Sequence, residues 1–382
     1  MGSLDSIDIV SARLKGKELH VPNLQDIFAH WPSRLSPHQA ELTEIINRKL
    51  DEWIKDPKTR LKADKCDIPV FTSRWWPSAS VDAALCAAFY NLWLFIWDDA
   101  LDGEDAMHDM ASTRELHRQA IAFIEHKLGL AAAGCGRPTA PPPVAPSEAT
   151  AVVFDFIGER LCAGHSEAGR RRFFREIEYY MRCCEVEQSH YYEGVLPSVE
   201  EYWAQRRGTT SVYSSAALAD FLAGVQLPEE LFQTRELEAL WDEHNNNISI
   251  VNDILSLKKE IVSDIPSDIL PHEGTAHTKS HHQHVGAHSN IIPITMQATG
   301  KDLDAIVQDL VEQVRESVAK FDRAAAGLLA MVAGDAGMHE NVEEYIEVLQ
   351  TNLTGNYYWS LGCARYGITK YIQKDGSLII PL

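Results

Sequence analysis

Apolar residues recur at intervals of three and four along most of the chain. From Leu303 the series Ile306, Val307, Leu310, Val311, Val314, Val318 and Phe321 draws a single stripe on a helix. A second series runs from about Ala168 through Phe173, Phe174, Ile177, Tyr180 and Met181 to the region of Tyr191. The same spacing predicts helices at roughly 37–55, 80–99, 113–129, 149–163, 198–222, 236–263 and 339–363. Strict alternation flanked by turn dipeptides is nearly absent. The pattern therefore predicts an all-α protein of about ten helices. No internal repeat or clear linker divides it, so residues 1–382 read as a single domain with an N-terminal tail at 1–20.

Two segments interrupt the periodicity. Residues 131–150 are rich in Ala, Gly and Pro, with Pro141, Pro142 and Pro143 in a row, and read as a surface insertion. Residues 264–289 hold His272, His277, His281, His282, His284 and His288 among Gly, Ser and Pro. A His cluster can bind zinc, but no Cys and no regular ligand spacing accompanies this one, so it reads as a solvated loop that orders when something binds nearby.

Composition narrows the function. Apolar residues make up 45% and aromatics 9%, enough for a sizeable core. With 35 Lys and Arg against 55 Asp and Glu, the formal charge is −20. That balance argues against nucleic acid and anionic membranes as partners. It also makes a phosphate ligand awkward unless metal ions or a few local bases hold it. The seven cysteines show no CxxC spacing and read as free, mostly buried thiols in a reducing, cytoplasmic setting. The acidic N-terminus lacks the look of a signal peptide. The longest apolar stretch, 83–97, is too short to span a bilayer.

Two constellations carry candidate chemistry. Asn252, Ser256 and Glu260 are spaced four and four inside a predicted helix, so they share a face. An amide oxygen, a hydroxyl and a carboxylate in a row suit a hard divalent cation such as Mg²⁺. The same residues also read as an ordinary polar stripe. Lys259 stands beside them, placed to reach an anion on that metal. Asp98, Asp99 and Asp102 end the apolar helix that contains Phe89, Trp93 and Phe95. Asp98 and Asp102 are one turn apart and can converge on a metal. Carboxylates at a helix C-terminus oppose the macrodipole, so something positive should compensate there, or the segment is simply a solvated acidic loop. If the two constellations face each other, they form a two-sided metal clamp over an apolar interior. That arrangement suits a ligand with a pyrophosphate head and a hydrocarbon body.

With these residues in place the chain resembles a class I terpene synthase, most like the fungal sesquiterpene cyclases. Asp98-Asp99-Ala100-Leu101-Asp102 matches the family's DDxxD motif, and Asn252, Ser256 and Glu260 with Lys259 match its NSE triad. Arg365-Tyr366, after Gly355-Asn356 and Trp359-Ser360, matches the C-terminal RY motif. Arg206, 46 residues before Asn252, takes the place of the diphosphate-sensing arginine. The Arg-Arg-Gly-Thr run from Arg206 resembles cyclases of the presilphiperfolanol type, a hint of 1,11-cyclisation in which Arg207 shares the sensing role.

The resemblance implies the class I terpenoid synthase fold, a single helical bundle around a central apolar cavity. It implies Mg²⁺-dependent ionisation of farnesyl diphosphate, a carbon–oxygen lyase reaction, and cyclisation to a sesquiterpene hydrocarbon or alcohol. Three Mg²⁺ ions, with Mn²⁺ as a substitute, would sit between Asp98, Asp99 and Asp102 on one side and Asn252, Ser256 and Glu260 on the other. Arg206, Lys259, Arg365 and Tyr366 would hydrogen-bond the diphosphate. Phe71, Phe95 and Trp359 would line the cavity and stabilise the carbocation, with ordinary core packing as the other reading of each. Trp75, Trp76, Phe89 and Trp93 read as core. The His-rich loop would close over the mouth. The molecule would be a monomer or a homodimer. Three rivals remain: a cyclase or chain-elongating prenyltransferase using another isoprenyl diphosphate, a metal-dependent phosphohydrolase, and a helical binding protein without catalysis. The NSE-type second motif argues against chain elongation, and the clustering of His in one loop argues against a phosphohydrolase.

Overall fold

A computed structural model of the protein describes residues 2–3, 10, 12–101, 110–131, 143–193, 195–261 and 289–382, with the backbone alone at 2–3, 98–101, 191–192 and 195. Asp102, most of the Pro-rich insertion and nearly all of the His-rich segment lie outside the described residues.

The chain opens with α1 (Gln25–Phe28), α2 (Gln39–Trp53), α3 (Pro57–Cys66), α4 (Ile68–Trp75) and α5 (Val81–Leu101). Next come α6 (Met110–Lys127), α7 (Glu148–Gly164), α8 (Glu167–Tyr192), α9 (Val199–Thr209), α10 (Val212–Ala216) and α11 (Ala219–Ala223). The last third holds α12 (Arg235–Ile261), α13 (Ile291–Thr299), α14 (Leu303–Met331) and α15 (Ala336–Gly362). The architecture is all-α, as the periodicity predicts. The few strands among the described residues form two short antiparallel pairs, Gly2–Ser3 with Val195–Leu196 and Glu18–Val21 with Leu378–Pro381.

Local chemistry explains the helix ends. Asp302 accepts from the Ala305 amide and starts α14, and Asp335 accepts from the amides of Gly337 and Met338 at α15. Ser198 and Glu201 form a reciprocal capping box at α9. Each of α3 and α4 begins with a capping Asp followed by proline (Asp56-Pro57, and Asp67 with Pro69). These two helices are short, and their apolar stripes span too few turns to stand out by periodicity.

The predicted helix at 198–222 is in fact three helices. Ser211 adopts a left-handed conformation with φ 56° and breaks the run. The break is held by a buried cluster in which the Tyr90 hydroxyl lies 2.9 Å from Ser211 Oγ and donates to Ser214 Oγ at 2.7 Å. Both irregular segments hold described structure at one end. In the N-terminal segment Leu14 and Leu19 are fully buried, and Leu19 pairs in register with Ile380. Residues 148–150, at the end of the Pro-rich segment, begin α7, which Ser147 caps through the Thr150 amide.

The buried apolar side chains form one contiguous core. The stripe of α14 packs on α12, α15 packs on α4, α8 on α9, and α5 on α7. Burial of each large side chain on these faces, such as Phe321 or Val314, contributes about 1.5–3 kcal/mol. Among the described residues no helix is long and apolar enough to cross a membrane. Six cysteines among the described residues are free, and of these only Cys162 is exposed.

Candidate active site

The C-terminal half of α12 carries Asn252, Ser256 and Glu260 on consecutive turns, and each has a distinct environment. Asn252 Oδ1 accepts from Arg206 Nη2 at 2.7 Å, and its Nδ2 donates to the Tyr366 hydroxyl at 2.7 Å. Three residues far apart in sequence, one each from α9, α12 and the segment after α15, therefore meet at one amide. Glu260 Oε2 accepts from Asn290 Nδ2 at 2.6 Å. Burial raises the Glu260 carboxyl, and the neighbouring Lys259 charge opposes that rise. Lys259 itself is exposed.

Ser256 Oγ is buried and closes no hydrogen bond of acceptable geometry, although it lies near enough to Glu260 to favour the ionised carboxylate. A buried hydroxyl without a partner is costly, and it marks a place where a ligand atom would be welcome. The donor set of amide oxygen, hydroxyl oxygen and carboxylate is all hard oxygen. It therefore fits a divalent cation of the Mg²⁺ type. Asn252 Oδ1 retains a second lone pair beside its bond to Arg206, and Glu260 retains Oε1.

Arg206 is fixed from behind. Its Nη2 also bonds Asp253 Oδ1 at 2.7 Å, and Asp253 is fully buried. Asp253 Oδ2 accepts from the Tyr202 hydroxyl at 2.5 Å and from the Ile291 amide at 3.2 Å. Burial pushes the Asp253 carboxyl up, and the Arg206 cation holds it down against that. Burial likewise works against the Arg206 cation, but the Asp253 charge outweighs it, and Arg206 is raised further above its ordinary value. Asp253, Tyr202 and Asn290 brace the candidate site, and the sequence reading did not single them out. Asp253 sits within the motif itself, but only the fold shows that it backs Arg206 while Asn252 faces Tyr366.

The predicted aromatics come together. Phe71 and Trp359 meet edge-on at 5.0 Å, Phe71 and Phe95 at 6.4 Å, and Phe95 lies 6.2 Å from Trp359. Trp359 is anchored by a 2.7 Å bond from Nε1 to the Cys66 carbonyl, and its ring meets that of Tyr366 in a T-shaped contact at 5.6 Å. Phe71 also packs against Trp75 at 4.5 Å and meets Trp76 edge-on at 5.6 Å, so it belongs equally to the core behind the cluster. Trp75, Trp76, Phe89 and Trp93 are all buried, as expected.

Arg365 lies over the Phe95 ring at 5.2 Å. Phe95 is one turn before Asp98 and Asp99, which the backbone places in the last turn of α5. Positive charge is thus supplied close to the acidic C-terminus of that helix. Residues 365 and 366 bridge the end of α5 to the polar face of α12. Arg207, by contrast, turns away. It pairs with Asp242 at 2.5 Å and lines a separate cleft of about 400 Å³ with Tyr213 and Trp241.

The chain has relatives among known proteins. Residues 90–320 match the family model described as terpene synthase family 2, C-terminal metal binding. The chain is 28% identical to the sesquiterpene cyclase hepA of Aspergillus oryzae over 98% of its own length and 95% of the relative's. It is 25% identical to pristinol synthase of Streptomyces pristinaespiralis over 91% of this chain and 86% of that protein. The crystal structure of a-eudesmol synthase superposes with a TM-score of 0.68 at 17% identity, covering 87% of this chain and 97% of that one. The last likeness bears on the fold.

Proposed function

The chain belongs to terpene synthase family 2, and from that membership we propose that it is a metal-dependent sesquiterpene synthase. It ionises farnesyl diphosphate, releases diphosphate and cyclises the resulting carbocation. The observation that carries this reading is the bridge formed by Arg365 and Tyr366. One residue sits on the aromatic ring beside the acidic end of α5, and the other bonds the first residue of the Asn252, Ser256 and Glu260 face.

On this reading Asn252, Ser256 and Glu260 would hold one Mg²⁺, and Asp98, with Asp99 and Asp102, would hold the others of a set of three. When bound, the metal supplies charge neutralisation at the diphosphate oxygens and so makes diphosphate a better leaving group. Arg365 and Tyr366 donate hydrogen bonds to the same diphosphate, joined by Arg206 and Lys259. Burial pushes the Tyr366 phenol up, so it keeps its proton and acts as a donor. The carbon–oxygen bond breaks with its electron pair leaving on diphosphate. No protein nucleophile is required. Phe95 and Trp359, with Phe71 behind them, offer aromatic faces that stabilise a cation without attacking it. Residues 1–382 act as one domain.

Incubation with farnesyl diphosphate and Mg²⁺, followed by extraction and gas chromatography–mass spectrometry, tests the proposal. Cyclic C15 products that vanish with EDTA are expected. Parallel vials with geranyl and geranylgeranyl diphosphate fix the chain length. Turnover in EDTA, or of neither farnesyl diphosphate nor its homologues, would overturn it.

A further inference from the structure

A row of buried polar atoms runs along the interior of α15 and is not used by the chemistry above. Asn352, Asn356 and Ser360 stand at every fourth position, so they share one face at about 6 Å per step along the axis. Asn352 and Ser360 are fully buried, and Asn356 is 3% exposed. Asn352 Oδ1, Asn356 Nδ2 and Ser360 Oγ close no hydrogen bond of good geometry among the described residues. The other amide atom of Asn352 is spent, since Nδ2 donates to the Trp75 carbonyl at 2.7 Å.

At the inner end of this row α12 contributes His244, fully buried, with neither ring nitrogen in a hydrogen bond of good geometry. The Asn352 amide is nevertheless close enough to favour its protonated form. At the outer end Ser360 directly follows Trp359, the anchored ring of the aromatic cluster.

Orphaned polar atoms of this number are rare in a folded interior, where nearly all find a protein or water partner. The set is chemically mixed. Asn352 Oδ1 accepts, Asn356 Nδ2 donates, Ser360 Oγ does both, and a neutral imidazole offers one donor and one acceptor. Such a row can orient water, which needs two to four polar partners to be held in a protein.

We propose that this row holds a short file of water, that the molecule at Ser360 quenches the last carbocation of the cyclisation, and that the product is therefore a sesquiterpene alcohol. The inference rests on the cyclase reading and deepens it. In the quenching step a lone pair on the water oxygen forms the new carbon–oxygen bond. One oxygen–hydrogen bond of the resulting oxonium then breaks, its pair returning to oxygen. The proton passes along the file to the free lone pair of His244. No oxidant or further reactant is needed. Burial holds the His244 imidazole down at about 3, so it is unprotonated at neutral pH, and a protonated alcohol is acidic enough to transfer its proton to it.

The decisive experiment is turnover of farnesyl diphosphate with Mg²⁺ in oxygen-18 water, with released diphosphate measured beside the mass spectrum of the product. An alcohol two mass units heavier than in ordinary water is expected. Diphosphate release with only hydrocarbon or unlabelled product overturns the inference and leaves the cyclase reading standing. Absence of diphosphate release overturns both. Ser360→Ala and Asn356→Leu should lower the ratio of alcohol to hydrocarbon about three- to tenfold, the loss of one or two hydrogen bonds, and Ser360→Thr should restore it. An unmoved ratio in both variants overturns the role of the row.

Discussion

Asn252 and Asp253 are adjacent in sequence and do different work. The first shows its amide to Arg206 and Tyr366, whereas the second is a fully buried carboxylate whose charge depends on Arg206 and the Tyr202 phenol. Removing one partner of a buried pair leaves the other charge uncompensated, which typically costs about 3–5 kcal/mol. Arg206→Ala is therefore expected to lower the Tm by several degrees as well as abolish turnover, and urea unfolding checks the stability half. Ser256→Ala should behave oppositely. Its hydroxyl closes no hydrogen bond of good geometry, so its loss should leave the metal-free Tm nearly unchanged. The Mg²⁺ concentration for half-maximal rate should nonetheless rise about tenfold, the effect of roughly 1.4 kcal/mol of lost ligation. Trp359→Leu removes the ring shared by Phe71, Phe95 and Tyr366, and products should shift toward acyclic or early-quenched ones. An unchanged product profile would take Trp359 out of the cavity.

At the level of elements, the site depends on how closely helices approach. Gly208 in α9 faces α8, and a Cβ there would lie 2.2 Å from Cys183 Sγ. In an open helix Gly→Ala would stabilise by about 0.5–1 kcal/mol, but here overpacking reverses the sign, at a cost of about 1–3 kcal/mol. Gly208→Ala should therefore lower the Tm and, by pushing α9 outward, weaken the hold of Arg206 on Asn252, seen as a raised KM. Gly355 does the same for α15 against α4, where a Cβ would meet the Arg74 carbonyl at 2.7 Å. That approach sets Trp359 against Phe71. Helix existence was legible from periodicity for the long elements, α8, α12, α14 and α15. The break at Ser211 was not, because it is imposed by a hydrogen-bond cluster with Tyr90 on α5, distant in sequence.

For the whole molecule, three buried histidines link the fold to pH. Burial lowers the ring pKa of His117, His165 and His244, the last to about 3. Each therefore binds a proton in the unfolded chain at a pH where the folded protein does not. Stability is fully present above the unfolded value of about 6.5 and is lost as pH falls below it. His244 alone should contribute a slope of about 1.4 kcal/mol per pH unit between about 6 and 4. Urea unfolding at stepped pH should show that slope, and His244→Gln should reduce it by one proton. The acidic surface works in the same direction as the site. A net charge of −20 favours divalent cations near the chain, and the few bases around the candidate site, Arg206 and Arg365 among them, are held by specific contacts and not by bulk charge.

The sequence by itself determined the helical class, the two acidic constellations, the Arg206 and Arg365-Tyr366 positions and the aromatic candidates. Each of these is local, a matter of spacing on one helix or of residue type in a motif. Only the tertiary structure decided that Arg206 faces Asn252 while Arg207 pairs with Asp242. Only the fold shows that Asp253 and Asn290 brace the site, or that Asn352, Asn356 and Ser360 line up buried polar atoms that close no well-formed hydrogen bond among the described residues. The reason is physical. A hydrogen bond or a buried charge is defined by what lies across the helix interface, and that neighbour is set by packing between segments remote in the chain.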